Sequence, residues 1–136
     1  MTRQTPELTP ASDATITEFV DKGHDIVGAA TSGFASLEMK GWESPEARTK
    51  MVADGIEMIN RLMTSFLSTA SRPLIADQMR WIADRLPREG IPLSSLLQSL
   101  DIYRHAVTST LSERAAAEVV TFVNVMIDEC RRITDE

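Results

Sequence analysis

The chain has 136 residues, of which 43% are hydrophobic, 25% charged and only 5% aromatic, with a net charge of −6. That length suits one domain able to bury about two thirds of its unfolded surface, and the hydrophobic fraction excludes a disordered chain. The acidic balance argues against nucleic acid as a default partner, because phosphate binding needs a basic footprint.

The charge-free runs 26–37, 63–71 and 91–100 fall short of the roughly 20 residues that a membrane span requires. No basic stretch with an apolar core opens the chain, so no signal peptide is expected. The single cysteine, Cys130, excludes an intrachain disulfide framework and fits a cytoplasmic setting. Charge is uneven along the chain. Segment 72–112 holds five arginines against four acids, whereas both flanking segments are acidic.

Residues 1–11, rich in Thr and Pro, read as a flexible tail, and residues 12–136 as one helical domain. Apolar spacing from there on is helical, with no convincing strand alternation. The first predicted helix covers about 12–39 through Ile16, Phe19, Val20, Ile26, Val27, Ala30, Phe34 and Leu37. Thr15 and Glu18 fit a capping box if this helix starts late. Gly23, Gly28 and Gly33 interrupt its interior, where each costs about 1 kcal/mol relative to Ala, so a kink or close helix packing is expected. Gly41 closes it.

The second helix opens with Ser44 as N-cap and Pro45 in its first turn and ends near residues 69–71, ahead of Pro73. A third, about 74–86, aligns Ile75, Met79, Ile82 and Leu86. Trp81 falls about 140° from that face; it is either sandwiched between neighbours or an exposed anchor for a partner. Pro87 and Gly90 break the chain. The fourth helix starts near Pro92 and runs to Thr110. Ser112 then caps a fifth, reaching about Arg132, whose stripe includes Val119, Phe122, Val123, Met126, Ile127 and Cys130 and spans about 160°. The expected fold is all-α, five helices in a single domain, globin-like or a helical bundle.

Little in this pattern points to catalysis. Phosphate-loop, nucleophile-elbow and zinc-protease motifs are missing from the sequence, and Cys130 falls on an apolar stripe, where cysteine is usually an inert core residue. His24 and His105 have acidic neighbours, but His105 faces away from its helix's apolar side and His24 lies at a border, as surface pairs do. Neither sits where a globin's proximal ligand would, so no metal, haem or other cofactor is expected. Arg104 lies within about 40° of the centre of the fourth helix's apolar stripe. It either reaches to the rim and an acid partner or anchors an anionic ligand or an interface carboxylate.

The stretch from Trp81 to Arg104 combines Arg88, Gly90-Ile91-Pro92-Leu93, Leu96-Leu97 and Ile102-Tyr103-Arg104. It resembles the amino-terminal helical sensor domains of bacterial regulators, including the RsbR-type co-antagonists of the stressosome. The resemblance is close over about 24 residues and loose over the helical layout. It implies a globin-like fold without haem, homodimerisation, and a signalling protein or carboxy-terminal output domain as partner. Arg88 and Arg104 are then candidates for holding the 90–92 loop, with Trp81 and Tyr103 as further ligand or interface anchors. The broad stripes place a dimer surface on the first and fifth helices, through Phe19, Ile26, Phe122 and Met126. The expected function is that of a non-enzymatic sensor domain acting through homodimerisation and protein contacts. The alternative is a carrier holding a tetrapyrrole or acyl chain between the second and fourth helices.

Overall fold

The computed structural model describes residues 8–35, 45–89 and 93–135. Among them are six α-helices, one short 3-10 turn and no strand. The expected flexible tail over residues 1–7, and the roles expected of Gly41, Ser44, Gly90 and Pro92, lie outside the described residues.

The first predicted helix is two. α1 (Asp13–Asp21) stops at Lys22, and α2 (Gly23–Ala35) follows. The break falls at the first interior glycine, where a side chain from residue 60 of the same chain crowds in: a Cβ on Gly23 would lie 3.1 Å from Asn60 Nδ2. At Gly33 the approach is tighter, with a Cβ only 2.8 Å from Ile102 Cγ2. At Gly28 nothing lies within 4 Å. One glycine thus marks the break, one admits α5 to α2, and one simply weakens the helix.

α3 (Pro45–Thr69) ends at Ala70, whose φ of 49° turns the chain in the left-handed region. Its N–H still reaches Phe66 O at 2.8 Å. Ser71 then caps α4 (Arg72–Arg85), its hydroxyl accepting the Leu74 N–H at 3.2 Å, with Pro73 in the first turn. Because the cap is Ser71, α4 starts two residues before the expected position. The 3-10 turn (Leu86–Glu89) leads away from it, and α5 (Leu93–Thr110) and α6 (Glu113–Thr134) complete the chain. Ser112 caps α6, as expected from the sequence.

α6 lies at the centre, packed against α1, α3, α4 and α5, and α2 spans α3 and α5. This arrangement corrects the expected dimer surface. Phe19, Ile26 and Met126 are wholly buried and Phe122 is 2% exposed within the single chain. The stripe of α6 is broad because helices of its own chain cover it from several sides, so it has no second face left for a partner. Residues 8–11 also depart from a tail. Leu8 packs on the core, Ala11 is buried, and the Ala11 N–H donates to Leu67 O at 2.9 Å.

Candidate functional site

α4 buries one face and presents the other. Ile75, Met79, Ile82 and Ala83 enter the core. Asp77, Trp81 and Asp84, at steps of four and three, share the opposite side, and Arg88 of the following 3-10 turn reaches back to Asp84. Trp81 is 51% exposed, and with Val20 it is one of the two large apolar side chains exposed among the described residues. A tryptophan in water forfeits a large hydrophobic gain, so its position distinguishes this face from the rest of the surface.

The indole is not alone there. The Arg85 guanidinium carbon stands 5.2 Å from the ring centroid, a cation–π stack of about 0.5–1 kcal/mol at an exposed site. Arg88 pairs with Asp84 at 3.2 Å, both side chains largely exposed. Beside Trp81 opens a groove of about 590 Å³ between α4 and the end of α6, lined by Asp77, Arg80, Trp81, Ala83, Asp84 and Ile133. The sequence signalled Trp81 by its phase. It did not single out Arg85, Asp77 or Ile133, although Arg85 lies one helical turn after the indole.

Of the four expected anchors, the structure brings Trp81 and Arg88 to this one face and places the other two elsewhere. Tyr103 is fully buried and its hydroxyl donates to Asn60 Oδ1 at 2.7 Å. Burial pushes its phenol above the ordinary range. This corrects Tyr103 as an anchor: it is a core residue whose polar end is already satisfied, tying α5 to α3 beside the α1–α2 break. Arg104 reaches the edge between α5 and α6, where it donates to Asp101 and, at 2.9 Å, to Asn124 Oδ1. Its head group thus finds acceptors at the rim, as a long charged side chain on an apolar stripe does.

A second groove, of about 400 Å³, is lined by residues 8–11, by Arg72 and by Glu118, Thr121, Phe122 and Val125 of α6. Arg72 Nη1 is 4.0 Å from Glu129 Oε1, and its Nε is buried without an acceptor.

His24 is exposed, and His105 Nε2 stands 3.9 Å from Asp101 Oδ2 on the surface. Among the described residues no three His, Cys, Asp or Glu side chains are placed to share a metal ion. Cys130 is 3% exposed, and burial, together with the adjacent Glu129 charge, pushes its thiol up to about 11. At neutral pH it is therefore a protonated thiol within the core. No described helix is long and apolar enough to cross a membrane. No family model, curated protein or solved structure matches this chain.

Proposed function

We propose that this chain is a non-enzymatic bacterial sensor or regulatory domain of the cytoplasm that acts through homodimerisation and contact with a signalling partner. The observation that carries the reading is Trp81, half exposed on α4 with Arg85 stacked on its ring. Aromatic side chains held rigid at a surface are the usual energetic centres of protein interfaces. The resemblance of the Trp81–Arg104 stretch to RsbR-type sensor domains supports the same reading and adds a globin-like architecture without haem. A signal acts by shifting how two protomers pack, which a signalling protein or output domain reads as a change in population. Light scattering tests this directly. A two-chain particle at tens of micromolar is expected, and a single-chain particle throughout overturns the dimer.

The groove under residues 8–11 favours a second reading, a carrier for a small ligand with an apolar body and an anionic end. Phe122 and Val125 would contact the body and Arg72, whose buried Nε lacks an acceptor, the charge. It differs from the expected carrier site between the second and fourth predicted helices, which correspond to α3 and α5. Native mass spectrometry decides: a retained adduct of a fatty-acid-like mass supports it, and a bare chain after incubation with such acids overturns it.

A further inference from the structure

The outer side of α4 has a charge order that complements itself. Asp77, Trp81 and Arg85 follow one another at steps of four residues, each step turning about 40° around the helix. Acid, indole and guanidinium therefore run along one side in that order. When two such faces lie antiparallel about Trp81, the residue four places before the indole in one chain meets the residue four places after it in the other. Asp77 then faces Arg85 of the copy, and Arg85 faces its Asp77. A parallel arrangement in register sets Asp77 against Asp77 and Arg85 against Arg85. The antiparallel order alone brings opposite charges together twice.

We propose that a second copy of this chain docks on this face, α4 against α4 in antiparallel, with the two Trp81 rings at the two-fold axis. The proposal rests on the homodimer reading above and names its surface, replacing the buried one expected from the sequence. Such a pairing is isologous, so each favourable contact occurs twice. Arg85, already over the ring at 5.2 Å, limits the indole's freedom before docking and so reduces the ordering cost of association. Ile133 gives the groove beside the ring an apolar wall. Asp84, exposed and paired with Arg88 at 3.2 Å, keeps the rim polar.

Sedimentation velocity of the full chain at tens of micromolar tests the surface, with circular dichroism confirming that each variant is helical. The unaltered chain is expected as a dimer. Trp81→Ala, Asp77→Arg and Arg85→Asp are each expected to weaken association by about tenfold or more, since each charge reversal sets like charges opposite one another twice. The combined Asp77→Arg/Arg85→Asp chain restores opposite charges and is expected to recover most of the association. Singles that dissociate without recovery in the double variant overturn the antiparallel pairing. A dimer indifferent to all of these changes overturns this surface while leaving the homodimer reading standing. An unaltered chain that is monomeric overturns both.

Discussion

Glu118 of α6 accepts the backbone N–H of Ser12, the N-cap of α1, at 2.9 Å across a separation of 106 residues. It also accepts the Ser12 hydroxyl at 3.2 Å and the hydroxyl of buried Thr15. The relation is reciprocal. Glu18 of α1 accepts the backbone N–H of Ser112, the N-cap of α6, at 2.6 Å and its hydroxyl at 2.8 Å. Each glutamate stands six residues after its own helix's cap and closes the other's. In an ordinary capping box the carboxylate comes from the same helix; here two antiparallel helices exchange it. Lys22 joins the same corner, donating to Thr110 O at 3.4 Å at the end of α5.

The two halves of this clasp differ in burial, and their removal separates them. Glu118→Ala takes the carboxylate acceptor from the Thr15 hydroxyl, which is 2% exposed and keeps only the Ser12 hydroxyl at 3.0 Å, at a cost of about 1–3 kcal/mol. Glu18→Ala releases Ser112, which is exposed and can turn to water, so its cost is smaller. Urea titration of both variants checks the order; an equal or reversed order contradicts the geometry.

The clasp also sets the sign of an acid response. Glu18 lies below the ordinary glutamate range chiefly because the Ser112 N–H favours its charged form. Glu118 lies below it chiefly through the Thr15 hydroxyl, then the Ser12 N–H. The folded chain thus binds fewer protons than the unfolded one, and this contribution is complete above the unfolded glutamate range. It is lost as pH falls through the lower folded values. Urea midpoints measured between about pH 3 and 7 are expected to fall on the acid side. Glu18→Gln/Glu118→Gln is expected to shallow that fall; an unchanged slope contradicts it.

The glycines of α2 are expected to respond in opposite directions. Gly28→Ala enters open space and gains up to about 1 kcal/mol of helix propensity. Gly33→Ala places a methyl 2.8 Å from the stiff Ile102 Cγ2, and overpacking of about 1–3 kcal/mol outweighs the same gain. Thermal unfolding of the two variants checks the pair; stabilisation at both positions would show that α2 and α5 part easily.

Ala70 carries the one positive φ among the described non-glycine residues, 49°. Ala70→Gly relieves the left-handed penalty at the end of α3 and is expected to stabilise by about 0.5–1 kcal/mol. A destabilised variant would show that the packing of the Ala70 methyl on the core matters more than the backbone.

How much of this was legible depended on range along the chain. α3, α5 and α6 follow from apolar spacing and from Ser112, because cap and periodicity are local. The break at Gly23 is half local: glycine permits it, but the crowding by Asn60 comes from α3. The exchange between Ser12, Glu118, Ser112 and Glu18 is invisible to any local pattern, and Thr15 with Glu18 mimicked an ordinary capping box. Phase showed that α6 has a broad apolar face, yet not that its own chain covers it, which is why Phe122 and Met126 looked like an interface. At Trp81 phase gave the correct direction and left open how far neighbours cover it; among the described residues the ring is half exposed, beside Ile133 of α6.

Association through α4 is expected to cover Trp81. With Trp42, the other tryptophan of the sequence, replaced by Phe, emission reports the Trp81 indole alone. On dilution from tens of micromolar to nanomolar, the emission is expected to shift to the red and iodide quenching to rise as the ring passes from a covered to an open state. Emission and quenching that stay constant across the whole range would contradict the account.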